Sequence, residues 1–417
     1  MKLIKNSIIS FFIMVVSVYF LPSCNQGKIK IGKAYSLGET SSPILRAESK
    51  EDPFLSDLKV EMKDLPGHDD VIFDEKNKIA YASGMDGWIW KLDWADGKAI
   101  QWVRPPVNPA GMRFSDAKKD KILVCASRLG GESYEEKDRV GLYEVEIGTK
   151  KVEPLVLDVP KTEKEEFEKV YSSSERKSVS LKDLNPSNAR PISLCNDIAV
   201  SDDGDRIYIT EPFERENAAM GSGAVPEAIG LFPHGKLWMY DRKKETITLV
   251  LTGFTFVDGI LLEEAPKGGE VSVVFTETSK FRILRAFING SDQGRSEVLF
   301  ENLPGLADGL DRDTEGRIWV GIIKRRSGLI NFVHRNPWLK SFLLSLPQKI
   351  LPISKRTGFL VLDPQGKKAL YYSMHDGSKI TDISVAVPFE GRVYFPTFDL
   401  HARGLYSLPI EDLKIKD

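Results

Sequence analysis

The chain repeats one pattern three times: LCNDIAVSDDGDRIYITE (residues 194–211), FVDGILLEEAPKGGEVSVVFTET (256–278) and LADGLDRDTEGRIWVGI (306–322). Each copy begins with an apolar residue closely followed by Asn or Asp, continues as an alternating apolar run, and passes through a glycine turn into a second apolar strand. Alternation with period two is typical of β-strands that bury one face. Each copy is therefore a predicted hairpin. Repetition roughly every 50 to 60 residues predicts a closed array of four-stranded sheets, a β-propeller.

Six such units follow one another along the chain. The three hairpins quoted above open units three, four and five. The other units begin with the alternating stretches VIFDEKNKIAYASG (71–84), GMRFSDAKKDKILVCAS (111–127) and ITDISVAVPFEGRVYFPTFDLHARGLYSL (380–408). The predicted fold is therefore all-β, a single six-bladed β-propeller over residues 61–417.

Three insertions interrupt the repeats, at residues 160–190, 212–234 and 326–352. The first is rich in charge and is predicted to be a solvated helix and loop, and the second is predicted to be a loop on one face. In the third, Asn336-Pro337 is a typical helix start, and the apolar residues that follow fall on one helical face. This helix, 337–346, is expected either to pack on the propeller or to form a lid or membrane-facing surface over the channel mouth.

The first 23 residues have the features of a secretory signal, because two lysines precede an apolar run shorter than the roughly 20 residues that span a membrane. The residues before Cys24 resemble a bacterial lipoprotein signal, in which Cys24 carries the lipid. That resemblance implies a bacterial cell envelope location, with an outer-membrane anchor because Asn25 is not the Asp that favours inner-membrane retention. Residues 24–60 are polar and irregular, and are predicted to be a tether ending in a strand that closes the propeller.

Composition limits the remaining functions. The net charge is −2, and 58 basic and 60 acidic residues are mixed along the chain. Without a basic stripe, we expect no nucleic-acid partner. Cys125 and Cys195 either form a disulfide, which an oxidising compartment permits, or remain buried thiols. These features leave the oligomeric state open.

The repeat places one oxygen-bearing side chain at the same point of each quoted hairpin. Because strand starts converge on the central channel of a propeller, Asn196, Asp258 and Asp308 are expected to face one another. Converging carboxylate and amide oxygens are the ligands of a hard cation, most often Ca²⁺. The sequence therefore predicts a central divalent-metal site, and ligand type alone leaves Mg²⁺ and Mn²⁺ open.

These segments resemble the strictosidine-synthase-like branch of the six-bladed propellers. That branch includes adipocyte plasma-membrane-associated protein, and paraoxonases and the senescence-marker-protein/gluconolactonase group are more distant relatives. The resemblance begins near residue 65 and extends to the C-terminus. It is most specific from ENLPG (301–305) through IWVG (318–321) to NPWLK (336–340), because that order joins a blade start to the lid-like insertion.

The resemblance implies a divalent ion held at the channel by Asp69, Asn196, Asp258 and Asp308. Strictosidine synthase uses a Glu near the start of the last blade, whereas Thr381 stands at that place here. Amine–aldehyde condensation is therefore disfavoured. Hydrolysis of lactones or esters remains, with the metal polarising the carbonyl or activating water.

Two functional hypotheses follow. The first is a lipid-anchored, Ca²⁺-dependent hydrolase of a small-molecule lactone or ester. Its expected catalytic base is His375, in the family-like element SMHDGS, although Asp308 could itself serve as base. His234 and His334 lie in insertions and are expected on the surface. The second hypothesis is a non-catalytic binding or scaffold propeller with structural calcium, motivated by the lack of an unambiguous base or nucleophile.

Overall fold

A computed structural model of the chain describes residues 29–162, 165–265, 269–348, 351 and 353–416. The signal segment 1–23 and Cys24 lie outside the described residues. Within these ranges, six antiparallel sheets are arranged as the blades of a propeller, which confirms the predicted fold class. The first strand, β1 (Lys59–Pro66), belongs to the last blade and is taken up there.

Blades 1 and 2 are four-stranded sheets whose strands are consecutive in the chain. Blade 1 consists of β2 (His68–Asp74), β3 (Ile79–Gly84), β4 (Ile89–Asp93) and β5 (Lys98–Val103). Blade 2 consists of β6 (Asn108–Phe114), β7 (Lys121–Ser127), β8 (Gly141–Glu146) and β9 (Val152–Val156). The first two strands of each blade are mostly buried. Apolar side chains alternate along these strands, so that they bury their apolar faces in the core.

The described part of the insertion, residues 160–162 and 165–190, contains short strands, and not the predicted helix. The strands of this region are β10 (Asp158–Pro160), β11 (Lys169–Val170), β12 (Ser178–Ser180) and β13 (Ala189–Pro191). β10 pairs with β13, whereas β11 and β12 pair with the outer strand of blade 3. The outer strand of a blade has unpaired backbone groups. The insertion satisfies these groups and buries Val170, which a solvated helix would not do.

Blades 3, 4 and 5 open with the three repeated hairpins. Blade 3 consists of β14 (Ile198–Val200), β15 (Arg206–Glu211), β16 (Gly235–Asp241) and β17 (Thr246–Phe254). Blade 4 consists of β18 (Val257–Glu264), β19 (Glu270–Glu277), β20 (Arg282–Phe287) and β21 (Ser296–Phe300). Blade 5 consists of β22 (Gly305–Arg312), β23 (Ile318–Arg325), β24 (Thr357–Leu362) and β25 (Ala369–His375).

Blade 6 closes the circle with strands from both ends of the chain. It consists of β26 (Val387–Phe389), β27 (Arg392–Phe395), β28 (Arg403–Pro409) and β1, which pairs antiparallel with β28 as the outermost strand. The expected closing strand is therefore present. Residues 29–58, which the sequence assigned to a tether, pack on the propeller, since Leu37 and Ile44 are fully buried. This segment contains the short helices α1 (Ser42–Arg46) and α2 (Pro53–Ser56).

The longer insertions supply three helices on one face. They are α3 (Val225–Gly230), α4 (Gly328–Arg335) and α5 (Pro337–Leu344). Single 3₁₀ turns cover Leu181–Asp183, Gly221–Ala224, Thr278–Lys280 and Glu411–Leu413. Across the described ranges, none of the helices has the length and apolar character needed to cross a membrane.

Cys125 and Cys195 are joined by a disulfide, so the alternative of two buried thiols does not apply. The bond links β7 of blade 2 to the residue that precedes Asn196 in blade 3. It therefore ties two neighbouring blades close to the channel.

Hydrogen bonds join every pair of neighbouring blades around the channel, and we call this circle the axial ring. Two of its bonds use carboxylates as acceptors, and the others use backbone carbonyls. Its members are Met112 N–H to Asp70 Oδ2 (2.9 Å), Gly111 N–H to Asn196 O (2.8 Å), Ile260 N–H to Asp197 Oδ2 (3.0 Å), Thr276 Oγ1–H to Asp308 O (2.9 Å), Gly309 N–H to Ser384 O (2.9 Å) and Ser384 Oγ–H to Asp69 O.

Arg113 is the cation of this ring. Its Nη1 lies 2.9 Å from Asp70 Oδ2 and its Nη2 lies 3.7 Å from Asp197 Oδ1. Burial disfavours its positive charge, but the carboxylates of Asp197, Asp70 and Asp311 raise the pKa of Arg113 above its ordinary value. The guanidinium therefore stays charged and compensates carboxylates contributed by blades 1, 3 and 5.

We expect Arg113→Met to lower the free energy of unfolding by about 3–5 kcal/mol, because it leaves Asp70 and Asp197 buried without a counter-charge. Chemical denaturation at neutral pH measures the change. Arg295→Met is the matched control, since Arg295 forms an exposed ion pair with Asp292 and such pairs contribute only about 0–1 kcal/mol. Equal losses in the two variants would contradict a special role for Arg113.

Candidate functional site

β-bulges aim the candidate ligands into the channel. The pairing register of the innermost strand shifts near its start in four blades: between His68 and Val71, Pro109 and Met112, Val257 and Ile260, and Ala307 and Leu310. A bulge inserts an unpaired residue and redirects the neighbouring side chains. The residues inside three of these bulges are the pairs Asp69-Asp70, Asp258-Gly259 and Asp308-Gly309. In blade 3 the pair Asn196-Asp197 lies directly before β14.

Glycine lets the inner strands approach one another at these bulges. A Cβ atom at Gly259 would lie 2.3 Å from the Asp308 carbonyl oxygen, and one at Gly111 would lie 2.6 Å from the Asn196 carbonyl oxygen. Neither distance is compatible with a side chain. The close approach brings the preceding side chains of adjacent blades together at the channel.

Asp69, Asn196, Asp258 and Asp308 line a common cavity of about 640 Å³. We call these four residues the floor. Asn196 Nδ2–H donates to Asp258 Oδ1, and Thr278 Oγ1–H donates to Asp258 Oδ2 at 3.2 Å. The structure therefore brings together all four residues that the sequence analysis proposed as metal ligands.

Carboxyl groups crowd together at the floor, and the crowding disfavours their ionised form. Burial raises the pKa of Asp308 well above its ordinary value, and the charges of Asp258, Asp69 and Asp197 raise it further. Burial also raises the pKa of Asp69 and of Asp258. Six buried carboxyl groups lie in this part of the described structure, and three of them act on the guanidinium of Arg113: the floor contributes Asp69, Asp258 and Asp308, and the groups that act on Arg113 are Asp70, Asp197 and Asp311.

This excess of carboxyl groups is the observation that bears on whether the floor residues fit the predicted cation. A divalent ion would offset the charge, and the floor offers carboxylate and amide oxygens, the donors that hard cations prefer. The floor residues therefore fit such an ion chemically. Among the residues that the structure describes, however, no three His, Cys, Asp or Glu side chains are arranged to hold a metal as they stand.

The walls of the cavity are mostly apolar and come from blade loops and from the helices of the insertions, although Lys324, Arg325, Arg326 and Asp382 also line it. Representative wall residues are Leu194, Ile229, Phe256, Ile323, Ile330 and Val333. Helices α3 and α4 line the cavity, and α5 contributes Leu343. The third insertion thus forms a lid. Trp338 and Phe332 face outward with 70% and 54% of their surface exposed. Contact of this helix with a membrane and lipidation of Cys24 stay predictions.

His375 does not lie in the cavity, in contrast to its predicted role as base. Its Nδ1 lies 2.8 Å from Asp52 Oδ2, and its Nε2 accepts the Lys379 N–H at 2.9 Å. Its ring also packs against Phe54 at 5.2 Å between centroids. Both ring nitrogens are therefore used: Nδ1 ties the N-terminal segment to blade 5, and Nε2 holds the loop that follows β25.

The position that carries Glu in strictosidine synthase also lacks a free carboxylate. Thr381 donates through Oγ1 to Asp399 Oδ2 at 2.8 Å. The next residue, Asp382, lines the cavity but pairs with Lys324 at 2.6 Å. The structure thus offers no unpaired acid at this place for amine–aldehyde condensation.

His334 is the cavity residue that sequence reasoning missed. It was expected on the surface, but its side chain is fully buried on α4 and lines the cavity. The available signal was helical spacing, because His334 follows Ile330 by four residues and Val333 by one on an amphipathic helix. The mixed composition of the insertion concealed that face.

Comparison with known proteins gives the relatives of the chain. No family model matches it. Adipocyte plasma membrane-associated protein of Danio rerio is 24% identical over 328 residues, covering 77% of this chain and 71% of the relative. The protein of that name from Salmo salar is 28% identical over 216 residues, so the chain spans only 50% of its length. Protein strictosidine synthase-like 13 of Arabidopsis thaliana is 30% identical over 164 residues, covering 39% of this chain and 38% of the relative.

Solved structures share the fold. A putative gluconolactonase superposes with a TM-score of 0.51 at 12% identity, covering 90% of this chain and 97% of that one. A luciferin-regenerating enzyme superposes with a TM-score of 0.50 at 12% identity, covering 86% and 99%. At such low identity these likenesses establish the propeller fold alone.

The predicted bacterial cell envelope location is wrong. The relatives named adipocyte plasma membrane-associated protein come from fish, birds and mammals, which are eukaryotes. The lipoprotein interpretation depended on a short N-terminal pattern, whereas these alignments extend over half of the chain or more. The family resemblance is confirmed: the chain is a homologue of the adipocyte plasma membrane-associated proteins and of strictosidine synthase-like 13.

Proposed function

We propose that the protein is a calcium-dependent hydrolase of carboxylic esters or lactones that carry a large apolar group. One observation carries the proposal: the oxygen-rich floor lines a cavity whose other walls are mostly apolar. Such a cavity suits a neutral substrate with one polar end, because the body of the substrate is buried while its carbonyl meets the floor.

Calcium suits the floor better than a transition metal does. Asp69, Asn196, Asp258 and Asp308 provide oxygen atoms only, and Ca²⁺ accepts six to eight such ligands in flexible geometry. Bound by these residues, a divalent ion would polarise the substrate carbonyl and stabilise negative charge on its oxygen.

Residues of the chain itself position the substrate and move the proton. The apolar walls hold the alkyl or aryl part and exclude bulk water. With its ionised form favoured by a cation at the floor, Asp308 would accept a proton from the attacking water as the water oxygen bonds to the carbonyl carbon. That proton then passes to the leaving alkoxide oxygen as the ester C–O bond breaks. The products are a carboxylic acid and an alcohol, or one hydroxy acid from a lactone.

The putative gluconolactonase that shares this fold supports lactone hydrolysis by analogy. A sugar lactone fits the present cavity poorly, because its hydroxyl groups would lose hydrogen bonds to water against apolar walls. The lining therefore favours apolar lactones and esters.

A second candidate is a non-catalytic binding propeller stabilised by calcium. It is favoured by the commitment of His375 to Asp52 and Lys379, and by the absence of histidine from the floor in the described part of the chain. The first experiment below separates the two candidates.

We expect Asp308→Asn to raise the calcium concentration needed for half-maximal thermal stabilisation by about tenfold or more. It should also lower kcat/KM for aryl acetates and γ-lactones by about 100-fold, because a ligand charge and the proposed base are both lost. Asp292→Asn is the control, since this residue is exposed and pairs only with Arg295. Full turnover of Asp308→Asn, or of the wild type after exhaustive chelation, would refute the proposal. Calcium-dependent melting without turnover on any ester or lactone would select the second candidate.

We also expect kcat/KM for 5-alkyl γ-lactones to rise about three- to fourfold per methylene until the cavity is filled. Each methylene buried from water contributes about 0.8 kcal/mol. Initial rates across a series of chain lengths measure the trend. A flat series, or faster hydrolysis of a sugar lactone, would show that the apolar walls do not hold the substrate.

A further inference from the structure

His334 occupies a fixed place in the lid. It lies near the end of α4, its backbone carbonyl accepts the Tyr35 N–H at 2.9 Å, and its ring centroid lies 6.3 Å from that of Phe281. The N-terminal segment therefore anchors this turn of the helix. Ile330 and Val333, on the same helix, line the cavity beside it.

Both ring nitrogens of His334 are buried without a hydrogen bond. Of the five histidines, all within the described ranges, it alone has this property: His68, His234 and His375 each use at least one nitrogen, and His401 is exposed. Burial lowers the pKa of His334 to about 3, with the charge of Lys340 lowering it further and the nearby Ser279 backbone opposing the shift. The ring is therefore neutral and offers one N–H donor and one acceptor.

The imidazole of His334 has hydrogen-bonding groups for which the described part of the protein supplies no partner. Buried polar groups in native proteins are nearly always hydrogen-bonded, and exceptions often mark functional positions. His334 is itself one of the residues that line the cavity. His334 is carried by α4 of the lid, whereas the floor residues lie at the starts of the blades.

We infer that His334 determines ligand specificity by hydrogen bonding to a second oxygen function, a hydroxyl or carbonyl, on the apolar body of the ligand. The ligand class is thus an oxygenated amphiphile. The carbonyl group at one end of this ligand contacts the floor. Its second oxygen, on the apolar body, accepts from or donates to His334 of the lid. The identity of the carbonyl group as an ester or lactone rests on the proposed function, whereas the role of His334 in binding does not.

The test uses inert ligands, so that it does not depend on turnover. 5-Octyl-2-pyrrolidinone is a lactam that mimics a lactone without being hydrolysed, and derivatives with one hydroxyl at successive chain positions probe the lid. Isothermal titration calorimetry with the full chain in calcium gives each Kd. We expect at least one hydroxylated lactam to bind about tenfold more tightly than the plain lactam, since a site with an unpaired polar group discriminates against a ligand that lacks its partner.

His334→Leu should abolish this preference while keeping the affinity for the plain lactam within about twofold. His401→Leu, at an exposed histidine, should retain the preference. The inference is overturned if the wild type shows no preference, or if His334→Leu keeps it. It is also overturned if His334→Leu loses plain-lactam binding together with thermal stability, because the ring would then serve packing. Hydrolysis of the matching lactones, measured separately, reports on the proposed function without altering this outcome.

Discussion

The propeller depends on closing six blades around an axis that is crowded with carboxyl groups. The axial ring meets this constraint by using two of those carboxylates as acceptors for backbone N–H groups of the next blade, with Arg113 between them. Buried charges are tolerated when they are paired and hydrogen-bonded. Because adjacent residues supply the ring and the floor, as in Asp69-Asp70 and Asn196-Asp197, blade packing decides where the floor oxygens lie.

Local patterns made the fold and the floor predictable. Strand alternation and turn glycines report on neighbouring residues, so the blades could be located without knowledge of distant contacts. Asp258 and Asp308 stand at equivalent points of a repeat, and equivalent points of successive blades meet at the channel by symmetry. Asp69 was placed by family resemblance alone, because its stretch departs from the quoted pattern.

Long-range packing decided what the sequence could not predict. His375 lies in a family-like element, but Asp52, more than 300 residues earlier, takes one of its nitrogens. The packing of residues 29–58 also depends on distant contacts, since Leu37 and Ile44 are buried in a cluster with residues of blades 4 and 5 and of α4. His334 became a cavity residue because the lid folds over the channel, and a composition of mixed polarity does not report that geometry.

The pairing of β1 with β28 has a consequence for biosynthesis. The strand made first waits for the strand made last, which at about 5–20 residues per second takes on the order of tens of seconds. A waiting strand exposes backbone groups that could pair with another chain. In β1, the charged residues Lys59, Glu61, Lys63 and Asp64 are spread along the strand. The nascent chain thus carries its own protection against aggregation until the ribosome has delivered the partner strand.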